Sequence, residues 1–308
     1  MVHMSGHAQP GVMTLAMMSA LTVALAPASA AAAPSTNSAA DSGPCGAVAT
    51  FDPGRFPSRP AITNRWLPLV PGTNFVLHGS VREDDGLLHD HRILTTVTDL
   101  TKVINGVRTL VIFERDIQDG ELQESELAFE AQDNSGRVWN VGEYPEEYEG
   151  RHLVGAPSTW IAGIDGAVAG IAMLDRPRPG AGPYLQGYAP QVDFFDCAEV
   201  AQTGLRVCVT AGCFQNVLVI DEWAPLDPAG GHQLKYYAAG LGAIKVGAVG
   251  GTSAEVLQLE KVTQLSADEL TTIRDEVIRQ DRRGRHVSKD VYAQTAPLQR
   301  LCTATAVG

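Results

Sequence analysis

Three turn signals follow one another in the middle of the chain, and they constrain the fold more than any other feature. They are Asn105-Gly106, Asp119-Gly120 and Asn134-Ser135-Gly136, and each separates two stretches with strand-like alternation. Asn, Asp and Gly tolerate the positive φ angles that tight hairpin turns require. Successive hairpins pair neighbouring strands in antiparallel order, so residues 74–143 predict an antiparallel sheet.

Further strand-like segments resume near residue 194 and continue to residue 265. A capping box of Ser266 and Glu269 then predicts the start of a helix. Apolar residues follow it at helical spacing: Leu270, Ile273, Val277 and Ile278. We therefore predict a mainly β protein, either a curved antiparallel sheet or a partly open barrel or sandwich of hairpins, with one C-terminal amphipathic helix.

The strand over residues 121–132 has two different faces. Leu127, Phe129 and Ala131 share one face, because side chains alternate along a strand. The other face carries Glu124, Glu126 and Glu130. This pattern is typical of a strand that is buried on its apolar side and wet on its acidic side.

Residues 150–190 are rich in Gly, Pro and small side chains and show no clean period. A segment of this length inside a domain usually carries structure of its own or serves a function. We expect an ordered excursion packed on the sheet, and we expect it to border the functional site.

The amino terminus predicts export. Val12–Ala26 is an apolar run too short to span a bilayer comfortably, and Ala28-Ser29-Ala30 offers a small-residue cleavage pattern. We predict a signal peptide over residues 1–30 and a flexible mature start over residues 31–50. The antiparallel β domain then covers residues 51–265, and the C-terminal helix and tail cover residues 266–308. The protein is expected to be secreted and extracellular, with no stable membrane span.

All five cysteines follow the predicted cleavage site, where an oxidising compartment allows disulfides. Cys208 and Cys213 flank a short turn that contains Gly, a spacing that suits a disulfide across a hairpin. Cys45 and Cys302 lie near the two mature ends and are expected to pair, which leaves Cys197 free. The sequence leaves this connectivity open.

The formal net charge of −12 disfavours partners that are bound through basic surfaces. Nucleic acids and anionic membranes are therefore not expected. Motifs of phosphate-binding loops, dinucleotide-binding folds, zinc proteases and serine hydrolases are absent from the sequence. We expect no cofactor, and the oligomeric state stays open.

Several side chains are candidates for chemistry. His89 and His91 point to the same side of a strand, as metal ligands do, but no third ligand follows at a useful spacing, so we predict no metal. Glu114 shares a strand face with Asp116, and Glu124 shares one with Glu126. Paired carboxyl groups serve glycoside hydrolysis when they are held at the right separation. Alternating carboxylates on a strand with one buried side are, however, more often simply its solvent-exposed face.

Five phrases of the sequence, taken together, resemble an uncharacterised family of secreted bacterial, mainly actinobacterial, β-sheet proteins. They are ITNRWLPLVPGT (62–73), GVRTLVIFERD (106–116), ELAFEAQDNSGRVWNVGEYPEEYEG (126–150), STWIAGIDGAVAGIAM (158–173) and KYYAAGLGAIK (235–245). More distantly, the phrases around VW at 138–139 and KYYA at 235–238 are similar to cell-envelope lipoproteins with curved antiparallel sheets. The resemblance implies a cupped sheet with an apolar interior that binds or carries apolar ligands.

Two functional hypotheses follow. The first is a secreted, non-enzymatic protein that binds a small or lipid-like ligand in a pocket of the curved sheet. Aromatic side chains would line that pocket, and the candidates are Trp139, Trp160, Tyr184, Trp223 and Tyr236. The Lys235-Tyr236-Tyr237 cluster leaves open which of its members face the pocket.

The alternative is a secreted hydrolase or lyase that acts on an extracellular polymer. Its acid or base would be Glu114, Glu124 or Glu126, assisted by His89 or His91. The sequence leaves open whether the protein is an enzyme.

Overall fold

The computed structural model describes residues 43–83, 86–252 and 254–301. The predicted signal peptide, the first part of the predicted flexible start (31–42) and Cys302 lie outside the described residues. Within the described part, no helix combines the length and apolarity that crossing a membrane requires.

Strands dominate the described residues. They are β1 Ile62–Thr63, β2 Pro68–Leu69, β3 Thr73–Arg82, β4 Leu88–Ile104, β5 Val107–Gln118, β6 Glu121–Gln132, β7 Val138–Glu149, β8 His152–Gly155, β9 Trp160–Ile161, β10 Val168–Met173, β11 Tyr184–Ala189, β12 Phe194–Val209, β13 Gly212–Trp223, β14 His232–Ala238, β15 Gly242–Val249, β16 Ala254–Gln264 and β17 Gln299–Arg300. The α-helix is α1 Ala267–Val287, and short 3₁₀ turns span Pro53–Arg55, Pro190–Val192 and Tyr292–Gln294.

Twelve of the strands form a closed antiparallel barrel. Its order runs from β10 through β16 and then from β3 to β7. The ring closes where β10 pairs with β7, with Gly170 opposite Asn140 and Ile171 opposite Trp139. The predicted hairpins at 105–106, 119–120 and 134–136 are confirmed. The sheet is closed rather than partly open, because this last pairing joins distant segments.

The Gly- and Pro-rich region 150–190 contains β8 to β11, and two of these strands belong to the barrel wall. It is therefore mostly part of the sheet rather than an excursion packed on it. Glycine permits this close packing, since a Cβ on Gly170 would collide with the backbone of Gln186 on β11. The small residues that obscure the strand period in the sequence are the ones that close the barrel.

Helix α1 begins as predicted, with Ser266 and Glu269 forming the capping box. The helix covers the outside of the barrel wall, and much of this contact is polar. Arg274 makes two hydrogen bonds of 2.8 Å to Asp99, and Lys102 Nζ lies 2.7 Å from Asp281 Oδ1. Of the four predicted apolar contact residues, only Val277 is fully buried.

The faces of β6 are arranged differently from the prediction. Phe129 points outward, where its ring lies 6.1 Å from that of Tyr292 in the segment after α1. Glu126 and Glu130 point into the barrel and line its cavity. The predicted wet face of this strand is wrong, because the barrel closes over the acidic side and the helix region covers the apolar side.

Two disulfides are present. Cys208–Cys213 joins β12 to β13 across their turn, as predicted. Cys45 pairs with Cys197, so the expected Cys45–Cys302 pair and a free Cys197 are both wrong. The turn around Cys45 lies against the start of β11, where Gly46 contacts Pro183, and this places its thiol beside β12. Such pairs fit an oxidising, extracytoplasmic environment.

Candidate functional site

One end of the barrel is covered by the β1–β2 hairpin. Asn64 holds it in place, because its side-chain amide donates to the carbonyl oxygens of Gly136 at 2.8 Å and Leu174 at 3.0 Å. Gly240 donates its N–H to the carbonyl of Arg65. These hydrogen bonds connect the hairpin to several turns at the same end of the barrel. Leu67 and Leu69 of this hairpin region line the interior.

Beneath this cover lies a cavity of about 220 Å³ inside the barrel. Part of its wall is apolar, and the apolar residues are Leu67, Leu69, Leu77, Ile93, Ile112, Ala128, Ala172, Phe194, Tyr237, Ala243, Val246 and Leu257. The rest is polar and mostly acidic, and the polar residues are Thr95, Glu114, Glu126, Glu130, Asn140, Glu143, Gln186, Asp196, Glu222 and Lys235.

The acidic wall is assembled from neighbouring strands. Glu114 on β5 stands directly opposite Glu126 on β6, and Glu130 on β6 stands opposite Asn140 on β7. The inward positions of these strands recur at every second residue, so the strand period gathers carboxyl groups on one side. Lys235 supplies the one ammonium group among the residues that line the cavity.

Burial changes the protonation of these acids. It raises the pKa of Glu130 to about 8 and that of Glu114 to about 7, where the hydrogen bond from Thr95 opposes the shift. Burial also raises the pKa of Glu126 and of Asp196 well above the usual range. Removing a carboxylate from water disfavours its charged form, and neighbouring carboxylates add to the effect. Much of the wall is therefore uncharged near neutral pH.

Glu143 is fixed by two donors. Trp160 donates its indole N–H to one carboxyl oxygen at 2.8 Å, and the side-chain amide of Asn140 donates to the other. Burial raises the pKa of Glu143, and both hydrogen bonds oppose that rise. Gly142, at φ +150°, precedes it, and a Cβ there would lie 2.8 Å from the carbonyl oxygen of Trp160. The glycine thus lets β9 approach closely enough for Trp160 to reach the carboxyl group.

Two buried carboxyl oxygens of the acidic wall have no hydrogen-bond partner among the described residues. They are Oε2 of Glu130 and Oδ1 of Asp196. The hydroxyl of Tyr184, buried nearby in β11, is also without a partner there. Buried polar atoms are usually hydrogen-bonded, so these oxygens are free to accept from a bound molecule.

His91 lies in a separate buried cluster further along the interior. Its Nε2 is 2.6 Å from Asp116 Oδ1, and its Nδ1 is 3.0 Å from Glu255 Oε1. Burial alone lowers the pKa of His91, but the hydrogen bonds and charges of the two carboxylates outweigh it and raise the pKa to about 10. The ring is held as a cation between two carboxylates, through a hydrogen bond from Nε2 to Asp116 and a charge contact of Nδ1 with Glu255, and a cation of this kind is unsuited to proton transfer at neutral pH.

The other predicted catalytic residues are dispersed. Glu114 and Glu126 line the cavity, whereas Glu124 stands between Asp116 and Glu147 on the adjacent strands and does not line it. His89 lies at the start of β4, with Nδ1 2.7 Å from Asp119 Oδ2. Among the residues that the structure covers, no group of three or more His, Cys, Asp or Glu side chains is placed to hold a metal ion.

The predicted aromatic lining is also mostly elsewhere. Trp160 stands behind the wall, where it stacks on Phe194 with 5.1 Å between ring centroids. Trp139 packs against Phe51. Trp223 stacks on His232, and Tyr236 contacts Lys245. None of the five predicted aromatics is among the residues that line the cavity.

The aromatic rings that do line the cavity are Phe194 and Tyr237, together with acids that the sequence reading did not single out as one site: Glu130, Glu143, Asp196 and Glu222. One signal in the sequence was available. Acidic residues stand two positions apart on three strands that follow one another: Glu114 and Asp116 on β5, Glu124 and Glu126 on β6, and Glu147 and Glu149 on β7. When such acidic side chains on adjacent strands face the interior of a barrel, they lie close together on one part of its wall.

The sequence matches no protein-family model and no curated protein. Two solved structures are similar at low scores. One is an exported protein, so described, with a YmcC-like fold from Bacteroides fragilis NCTC 9343, at 13% identity and a TM-score of 0.37 over 65% of this chain and 99% of that one. The other, described as a lipoprotein from Parabacteroides distasonis ATCC 8503, has 10% identity and a TM-score of 0.33 over 67% of this chain and 100% of that one.

Proposed function

We propose that this is a secreted binding protein that holds one small ligand inside its barrel and catalyses no reaction. The observation that carries the proposal is the cavity of about 220 Å³ inside the barrel, which combines an apolar wall with polar groups. Ligand sites in proteins have this composition, with apolar contact area for affinity and a few polar groups for orientation.

The volume limits the ligand. A cavity of about 150 Å³ accepts benzene, so 220 Å³ suits a molecule only somewhat larger, of about ten non-hydrogen atoms. A long acyl chain exceeds this space. Of the two expected classes, a small ligand or a lipid-like one, we therefore propose the small ligand.

The geometry favours binding over polymer hydrolysis. A glycosidase holds its two carboxyl groups on either side of the bond that it cleaves. Glu114 and Glu126 are instead neighbours on one wall, in direct cross-strand register. The cavity of about 220 Å³ is also small for the linked units of a polymer, and both ring nitrogens of His91 lie within 3.0 Å of a carboxylate oxygen.

The test is to fill the cavity. Ala128 and Ala172 both line it, so Ala128→Leu and Ala172→Leu each place extra side-chain volume inside it. Ala201→Leu is the matched control, since Ala201 lies exposed on β12. The probe is a library of neutral, anionic and cationic compounds of about ten non-hydrogen atoms, followed by ligand-observed NMR on the secreted protein.

We expect some compounds to bind the wild type and the control and to lose binding in both filled variants. Circular dichroism confirms that each variant keeps its sheet. The proposal is overturned if no compound of this size binds the wild type, or if compounds bind a folded, filled variant as well as they bind the wild type.

A further inference from the structure

We propose that the ligand is a small organic amine, bound as a cation, with its ammonium group against the acidic wall that includes Glu130 and Asp196 and its apolar body against the hydrophobic wall. This inference rests on the proposed function and names the ligand class for the same cavity. Four features of the wall support it: its charge balance, its unpartnered acceptor oxygens, its combination of apolar and acidic side chains, and its capacity to release protons.

The charge balance of the wall favours a cation. Six carboxyl groups line the cavity: Glu114, Glu126, Glu130, Glu143, Asp196 and Glu222. The single ammonium group, that of Lys235, is already engaged, since its Nζ lies 2.5 Å from Glu222 Oε2. An anionic ligand would meet carboxyl groups with no free cation on the wall, whereas a cationic ligand favours the ionised form of a neighbouring carboxyl group and pairs with the carboxylate that results.

The unpartnered oxygens specify a donor. Glu130 Oε2 and Asp196 Oδ1 are buried and accept no hydrogen bond from the described residues. Both side chains are close enough to Glu143 and Lys235 for their charges to interact with the same two groups. An ammonium group carries three N–H donors and no acceptor, so it supplies what an unpartnered acceptor oxygen lacks.

The remaining wall accommodates an apolar body. Leu77, Leu257 and the ring of Phe194 line the cavity together with the acids. Aromatic faces also attract cations, and Phe194 is held by stacking on Trp160. A compact amine with one ring or a short branched chain matches this combination of volume and polarity, whereas a fully hydrated inorganic cation would leave the apolar wall without contacts.

Binding of a cation should release protons. Glu130 holds its proton to about pH 8 without a ligand, and an ammonium group favours its ionised form. Affinity for the amine should therefore rise between about pH 6 and 8, by up to tenfold per pH unit for one proton released. The charged and titratable groups that face Glu130 are Glu143 on β7, Glu114 on β5, Glu126 on β6, and Lys235 and Tyr237 on β14.

The experiment compares three probes of one shape. They are 2-phenylethylamine, 2-phenylethanol and phenylacetate, titrated by calorimetry at pH 7.5 into the wild type and into Glu130→Gln, Asp196→Asn and Glu121→Gln. Glu121 is exposed at the β5–β6 turn and provides the matched control. Repeating the titration in two buffers of different ionisation enthalpy reports the protons released.

We expect the amine to bind at least about tenfold more tightly than the alcohol, and the acid not to bind. Glu130→Gln and Asp196→Asn should weaken amine binding about 10- to 100-fold and change alcohol binding little, whereas Glu121→Gln should change neither. If the alcohol binds as tightly as the amine, the amine inference fails and small-ligand binding stands. If no probe binds and the filled-cavity variants have no effect in the library screen, the proposed function fails as well.

Discussion

Lys235 Nζ and Glu222 Oε2 lie 2.5 Å apart inside the barrel, with about nine-tenths of each side chain buried. Breaking a buried ion pair from one side leaves an uncompensated charge, which costs about 3–5 kcal/mol. We expect Lys235→Met to lower the free energy of unfolding by this amount in urea denaturation at pH 7. The double variant Lys235→Met/Glu222→Leu should recover most of the loss. If the double variant instead loses as much stability as Lys235→Met and Glu222→Leu lose in sum, the two residues are not a coupled pair.

Stability should depend on pH through Glu130. Its pKa in the folded protein is about 8, against 4.5 for an ordinary glutamate, so the folded state holds the proton more strongly than the unfolded state. The contribution of Glu130 to the free energy of unfolding is therefore highest below about pH 4.5. It falls as the pH rises to 8, by about 1.4 kcal/mol per pH unit. Glu130→Gln should give a shallower decline and a more stable protein at pH 8.

Urea denaturation at several values between pH 5 and 8 measures this slope. The exposed Glu121→Gln variant should follow the wild-type curve. A Glu130→Gln protein with the full wild-type slope would show that other groups carry the dependence.

The two disulfides should contribute unequally. Cys45–Cys197 closes a loop of 152 residues, whereas Cys208–Cys213 closes one of 5. By reducing the entropy of the unfolded chain, the first disulfide should stabilise the folded protein by about 5 kcal/mol and the second by about 2 kcal/mol. Replacing both cysteines of the long loop by serine should thus lower the free energy of unfolding by about 3 kcal/mol more than the same change in the hairpin. Equal losses would indicate that the unfolded chain is not the main source of the effect.

Gly284 should resist the usual helix-stabilising substitution. Glycine inside a helix normally costs about 1 kcal/mol relative to alanine. Here a Cβ would lie 2.7 Å from the ring of Tyr292 and 2.8 Å from that of Tyr144. We expect Gly284→Ala to lower the melting temperature, while Arg279→Ala at an exposed position of α1 should leave it nearly unchanged. A more stable Gly284→Ala protein would show that the two rings yield easily.

Local signals in the sequence predicted the local structure. The turn dipeptides give the hairpins of β4 to β7, and the Ser266 capping box gives the start of α1. Both depend on residues a few positions apart. Barrel closure by β7 and β10 and the Cys45–Cys197 bond join segments far apart in the chain, and no local pattern specifies them.

The site was harder to predict, for a related reason. Alternation along β6 shows that Glu126 and Glu130 share one face, but it does not show which face meets water. That depends on where α1 and Tyr292 pack, which is a tertiary property. A strand that is buried on both sides, apolar outward and acidic inward, has the same sequence pattern as an ordinary surface strand.

Closure of the barrel has a consequence for the behaviour of the protein at high concentration. Each of its twelve strands is paired with a neighbouring strand on both sides. Unpaired backbone groups along a sheet margin are the usual template on which a second molecule adds a strand. A closed ring of strands has no edge strand, so a second molecule can add a strand only after two neighbouring strands have separated. The closed ring itself therefore offers no open strand edge to a second molecule.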